Sequence, residues 1–99
     1  MKFITATASI YLAFSTIAFA GGGLCESMGE VAKDLMTARQ AGTDMSALMK
    51  VADGLKGMNE YARTVTIAAY EVPAYATEEM KLKSISDFSN KIQLACYQK

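Results

Sequence analysis

The feature that most constrains the fold is a single pair of cysteines, Cys25 and Cys96, which are 71 positions apart in the 99-residue chain. A disulfide between them would close a loop of about 70 residues and stabilise the folded state by about 4 kcal/mol in the chain-entropy model. Such a bond requires the two Cα atoms to lie within about 7 Å of each other. Any fold proposed for this chain must therefore bring residues 25 and 96 together.

An uncharged N-terminal segment indicates export. Residues 3–25 contain no charged side chain, and Lys2 precedes them. The apolar run ends in "AFA" at Ala20, which places small residues at the two positions that a signal peptidase must accommodate. We predict a signal peptide of the Sec type that is cleaved after Ala20. The predicted division of the chain is a signal peptide at residues 1–20, a flexible glycine-rich leader at 21–24 and a single helical domain at 25–99.

Two other interpretations of this segment stay open. A retained membrane anchor needs about 20 predominantly apolar residues, and several serines and threonines dilute this run. A lipoprotein needs a small residue directly before the modified cysteine, where this chain has Leu24. We therefore predict a periplasmic or secreted protein that keeps no stable membrane anchor after cleavage. Disulfides persist in such compartments.

Charge and composition argue against several functional classes. Ten basic and ten acidic residues leave no net charge, so no long-range attraction draws the chain to nucleic acid. The chain has no histidine, which removes the commonest general base and the commonest metal ligand. We expect a protein that does not bind nucleic acid.

Apolar residues recur every three or four positions in four segments, the spacing of amphipathic helices. The first segment is predicted at residues 24–41 and ends at Gly42. The second begins at Thr43 or Asp44, either of which can cap a helix, and ends before Gly57.

The third predicted helix opens near Asn59 and ends at Pro73, because the residue before a proline is disfavoured in helical geometry. Its "TVTIAAY" sequence is β-branched, so a strand is the competing interpretation. The fourth helix begins after the cap Thr77. Its predicted apolar face comprises Leu82, Ile85, Phe88, Ile92, Ala95 and Cys96.

These segments predict an all-α fold, a small four-helix up-down bundle closed by a Cys25–Cys96 disulfide. An up-down-up-down bundle with short loops brings the start of the first helix to the end of the fourth. The expected pairing of the two cysteines and the helical pattern therefore predict the same topology, and this agreement supports the fold.

The same topology gathers a candidate contact patch at the opposite pole. Its members are Arg39, Gln40, Tyr70, Glu71 and Tyr75. Tyrosine and arginine are enriched at interface hot spots, so this pole is predicted to bind a protein or a cell-envelope component. The alternative is a surface ion pair between Arg39 and Glu71, with Tyr70 packed on the fourth helix.

The sequence gives little support for catalysis or for a cofactor. Glu78 and Glu79 are adjacent and fit a first-turn dipole role, and no serine has a histidine partner. Met45 and Met49 stand one helical turn apart and could hold Cu(I), but methionines at such positions usually fill cores. We predict a non-enzymatic protein without catalytic, cofactor-binding or metal-binding residues.

The cysteine followed by "MTARQAG", the central "AAYEVPAY" and the closing "SDFSNKIQLACYQK" resemble a group of short exported proteins from proteobacteria and their phages or prophages. That resemblance implies a bacterial periplasmic setting and a phage or prophage origin. It also implies a role in an envelope or phage process, such as exclusion of a second infecting phage or control of lysis. It assigns no functional residues.

The predicted function is therefore a non-enzymatic interaction protein that modulates an envelope or phage process. One alternative is a small-ligand or copper-binding helical carrier, which should have an apolar cavity between its helices. Another is a secreted toxin-like or immunity peptide, although a membrane-active toxin needs a basic amphipathic helix. An interaction protein should instead have a filled core and an exposed contact patch.

Overall fold

The computed structural model describes residues 23–98, which form four helices and no strand. Their bounds are Leu24–Gln40 (α1), Met45–Asp53 (α2), Asn59–Tyr70 (α3) and Glu78–Tyr97 (α4). This confirms the all-α prediction, and the β-branched segment that competed as a strand lies within α3. The predicted signal peptide and the first two residues of the leader lie outside the described residues.

Most helix boundaries follow the signals in the sequence, but α2 ends at Asp53 with Gly54 as its C-cap, earlier than the predicted stop at Gly57. Gly42 has a φ of +89°, a left-handed conformation that ends α1 and that glycine adopts without a steric penalty. Asp44 caps α2 by accepting a hydrogen bond of 3.1 Å from the Ser46 backbone N–H. Thr77 caps α4 in the same way, accepting a bond of 3.2 Å from Met80 N–H. Side-chain chemistry therefore sets where α2 and α4 begin.

Helix α1 lies at the centre of the packing. It contacts both α3 and α4, whereas α2 packs mainly on α3. Leu35 and Met36 of α1 are at most 1 % exposed and form the middle of the core. The buried apolar residues that surround them are Val31, Ala32, Ala38, Leu48, Val65, Ala69 and Phe88.

A disulfide joins the start of α1 to the end of α4. The Cys25 and Cys96 sulfur atoms are 2.03 Å apart, and the two Cα atoms are 5.4 Å apart. The predicted pairing is confirmed, and with it the antiparallel arrangement of α1 and α4. We call this end of the molecule the disulfide pole, and the end where α1 finishes and α4 begins the strap pole.

The buried face of α4 differs from the predicted one. Leu82, expected in the core, is 65 % exposed, and Ala95 is also exposed. Ser84 and Ser89 are buried instead, because their hydroxyl groups find carbonyl acceptors. Ser84 donates to Lys81 at 2.8 Å, and Ser89 donates across the helix interface to Gly29 at 2.8 Å. A satisfied hydroxyl is small enough to let α1 and α4 approach closely.

Within residues 23–98, no helix has both the length and the hydropathy needed to cross a bilayer.

Candidate functional site

The strap pole is built around residues 72–77, which link α3 to α4 and which we call the strap. Arg39, in the last turn of α1, donates a hydrogen bond of 3.0 Å from Nε to the carbonyl oxygen of Val72. Its guanidinium carbon lies 4.8 Å from the centre of the Tyr70 ring. The cation therefore lies at the C-terminus of α3, where it complements the helix dipole, and over an aromatic face.

Gln40 holds the strap through both ends of its amide group. Its Nε2 donates to the Pro73 carbonyl at 2.8 Å, and its Oε1 accepts from the Tyr75 backbone N–H at 2.8 Å. The side chain is only 4 % exposed. We call Arg39 and Gln40 together the clamp. The sequence placed Gln40 on a contact surface, but the structure places it beneath the strap.

Tyr70 joins the clamp to the turn between α1 and α2. Its hydroxyl group donates to the carbonyl oxygen of Thr43. Burial raises the pKa of the Tyr70 phenol, Arg39 acts in the opposite direction, and the carboxylate of Asp44 raises it further. The phenol therefore stays protonated as a donor at neutral pH. Arg39 and Thr43, its partners in these contacts, both lie outside α4.

The predicted ion pair between Arg39 and Glu71 is not formed. Glu71 is exposed, and it takes part in none of the ion pairs found within the described part of the chain, residues 23–98. Arg39 binds the backbone at Val72 instead, because carbonyl groups at the end of a helix lack partners within the helix. Arg39 thus offsets the unfavourable interaction between Glu71 and the negative end of the helix dipole, without direct contact between the two charged groups.

Two open grooves lie at the strap pole. One, of about 160 Å³, is lined in part by the half-buried Tyr75 together with Phe88 and Lys91. The other, of about 280 Å³, lies between the end of α1 and the start of α4. We call it the Leu82 groove; its lining consists of Thr37, Gln40, Ala41, Glu78, Lys81, Leu82 and Ile85.

Sequence reasoning missed Leu82 as a surface residue. It falls on the three-and-four spacing of α4, so periodicity alone assigns it to the core. The structure leaves 65 % of it exposed because the buried face of α4 is rotated toward Ser84 and Ser89. The available sequence signal was the spacing of Ser84 and Phe88, which are four positions apart and therefore share a face of α4, whereas Ser89 is five positions from Ser84 and gave no such signal.

Asp34 is a second residue that sequence reasoning missed. Its Oδ2 atom is buried and has no hydrogen-bond partner among residues 23–98. Burial raises the pKa of this carboxyl to about 6, and the nearby Glu30 carboxylate adds to the increase, while Lys33 opposes it. The available signal was the like-charged spacing of Glu30 and Asp34, one helical turn apart.

The described residues offer little to a hard metal ion. Between residues 23 and 98, no group of three or more carboxylate, histidine or cysteine side chains is arranged to hold a metal. Met45 and Met49 are both half-buried on α2, beside the buried Leu48. These positions suit the space-filling role of methionine.

Comparison with known proteins adds no relative. The chain matches no protein-family model, and no curated protein or solved structure matches it at a significant level.

Proposed function

We propose that this protein is a non-enzymatic interaction protein of the bacterial periplasm or extracellular medium that binds another protein through its strap pole. The observation that carries the proposal is the 65 % exposure of Leu82 beside the open groove of about 280 Å³. Leu82 differs from the other exposed leucines in lining this groove, where a partner side chain could cover its apolar surface.

The openness of the grooves to solvent favours a protein partner over an enclosed small ligand. Pockets that hold small molecules have volumes of about 300–1,000 Å³ and enclose most of the ligand. The two grooves of the strap pole are about 160 and 280 Å³ and open to solvent. Such grooves suit single side chains projecting from a partner surface, and this supports the interaction role over the carrier alternative.

The clamp makes the surface suitable for binding. Arg39 and Gln40 fix the strap through three hydrogen bonds to residues 72–75. A loop that is already ordered loses little conformational entropy on association, so more of the contact energy appears as affinity. In this proposal the clamp supports the surface, and the contacts come from Leu82, Tyr75 and Glu71.

Site-specific photocrosslinking tests the proposed surface. A photoreactive amino acid at Leu82 should crosslink one discrete protein in cells, whereas the same group at Leu94, which is 57 % exposed near the disulfide pole, should not. Leu82→Asp should abolish capture of that protein by a probe at Tyr75, without changing the circular dichroism. Equal crosslinking from Leu82 and Leu94 would count against a specific surface at this pole.

Export and the biological process rest on the sequence. The uncharged N-terminal segment and the resemblance to exported phage and bacterial proteins support a periplasmic modulator of phage exclusion or lysis. Protein isolated from the periplasm should have the intact mass of a chain that begins at Gly21. That mass should be lower by two hydrogens than the mass of the dithiol form. Expression should change phage plating efficiency or lysis time, and Leu82→Asp should remove the effect. An uncleaved, cell-associated chain would contradict the export proposal.

A further inference from the structure

Three sulfur atoms meet at the disulfide pole. Besides the bonded pair of Cys25 and Cys96, the thioether sulfur of Met28 lies 3.4 Å from the Cys96 sulfur. Cys96 has no proton to donate while it is in the disulfide, so this is a sulfur–sulfur contact. Cys25 and Met28 are separated by three positions on α1 and therefore share a helix face.

We propose that reduction of the disulfide converts this cluster into a Cu(I) site with Cys25, Cys96 and Met28 as its three ligands. Thiolate and thioether sulfur are soft donors that select Cu(I) over the hard cations. The Cα atoms of the two cysteines are only 5.4 Å apart on facing helices, so the backbone places both sulfur atoms within reach of one metal ion. This departs from the sequence-based expectation of a chain without metal ligands.

The scaffold around the cluster does not depend on the disulfide alone. Ser89 donates to the Gly29 carbonyl at 2.8 Å, and Tyr61 donates to the Met28 carbonyl at 3.2 Å. Burial raises the pKa of Tyr61 to about 12, so its phenol keeps the donated proton. These bonds connect the start of α1 to α4 and α3, and they keep the ligands near one another after reduction.

The chemistry is a thiol–disulfide exchange followed by proton displacement. A dithiol reductant becomes its own cyclic disulfide, and its two electrons and two protons pass to the sulfur atoms of Cys25 and Cys96. Cu(I) then replaces both thiol protons, which are released to solvent, while Met28 donates a lone pair without losing a proton. All three side chains are partly exposed, so a soluble Cu(I) donor can reach them.

The site lies at the opposite pole from the proposed protein-binding surface and does not rest on it. Anaerobic titration of the reduced protein with Cu(I), in competition with a coloured Cu(I) chelator, tests it directly. We expect one Cu(I) per chain, and we expect the oxidised protein not to compete. Circular dichroism of the reduced protein should retain the helical signal.

Met28→Leu decides whether three ligands act together, because it conserves volume and leaves both cysteines in place. It should weaken Cu(I) binding by about tenfold or more, the equivalent of losing about 1.4 kcal/mol. The matched control, Met45→Leu with Met49→Leu, should leave binding unchanged. Unaltered affinity in Met28→Leu, equal binding by the oxidised chain, or loss of the helical signal on reduction would each overturn the proposal.

Discussion

At the scale of the residue, the side-chain carboxamide of Gln40 supplies the strap with both a hydrogen-bond donor and an acceptor. It donates to Pro73 and accepts from Tyr75, and so replaces the pairing that a neighbouring strand would give the strap. Because Gln40 is buried, solvent cannot readily take over either bond when the side chain is removed.

We expect Gln40→Met to lower the free energy of unfolding by about 2–3 kcal/mol, since it keeps the volume and deletes the two hydrogen bonds to the strap, of about 1–1.5 kcal/mol each, together with a weak contact of 3.5 Å between Nε2 and the Met36 sulfur. Gln40→Glu keeps the acceptor but sets a carboxylate oxygen against the Pro73 carbonyl and buries a charge, so it should destabilise the protein at least as much as Gln40→Met. Urea unfolding gives the comparison. Gln98→Met, at an exposed position, is the control and should change stability by less than about 0.5 kcal/mol.

The Asp34 carboxyl predicts a dependence of stability on pH. Its pKa is raised from 3.8 to about 6 in the folded protein. The folded state therefore binds the proton more tightly, and stability from this group is present below about pH 4 and is lost as the pH rises through 6. The full increase in pKa from 3.8 to about 6 would correspond to about 3 kcal/mol, and solvent screening at this partly exposed site reduces the contribution to about 1 kcal/mol.

Asp34→Asn should therefore stabilise the protein by about 1 kcal/mol at pH 7 and have a smaller effect at pH 4. Thermal or urea unfolding at the two pH values measures the difference. The control is Glu71→Gln, which alters an exposed carboxylate outside the described ion pairs. Its effect on stability should be the same at the two pH values. A constant effect of Asp34→Asn across this pH range would contradict the assigned cause.

At the scale of the element, the interface between α1 and α4 depends on a glycine within a helix. A Cβ atom placed on Gly29 would lie 2.5 Å from Cγ of Gln93, so Gln93 would have to move. That movement would break its hydrogen bond of 3.2 Å to Ser89, which itself bonds Gly29. The low helix propensity of glycine is tolerated here because it permits this contact.

Gly29→Ala alone should change stability little, because a propensity gain of about 1 kcal/mol is offset by displacement of Gln93. In a Gln93→Ala background the obstacle is absent, and the same substitution should stabilise the protein by about 1 kcal/mol. A double-mutant cycle measured by urea unfolding isolates this coupling. A coupling energy near zero would mean that the close approach does not constrain residue 29.

The helices themselves could be predicted from the sequence, since apolar spacing, Gly42, two caps and one proline mark most of their ends, whereas the predicted stop of α2 at Gly57 lay beyond its observed end at Asp53. The rotation of α4 could not, because burial of Ser89 depends on the Gly29 carbonyl of α1, which only the folded chain brings to it, whereas Ser84 bonds to Lys81 within its own helix. The clamp was missed for a similar reason. Arg39 and Gln40 were correctly placed near the strap, but their acceptors are backbone carbonyls, which every sequence contains.

At the scale of the whole molecule, the disulfide links residues 71 positions apart and encloses all four helices. Replacing both cysteines by serine should lower the free energy of unfolding by about 4 kcal/mol, mainly because the unfolded chain gains conformational freedom. The helical circular dichroism should persist at low temperature, because α1 still packs on α3 and α4. A loss below about 1 kcal/mol would indicate that the unfolded chain is already compact.

The position of this bond also determines how the protein responds to mechanical force. Cys25 and Cys96 lie near the two ends of the described chain, so a pull on both ends is carried through the covalent bond. The helices between them bear no load until the bond is reduced. In the oxidised form, tension between the two ends would extend only the short segments outside the loop, whereas reduction would expose the whole bundle to stretching.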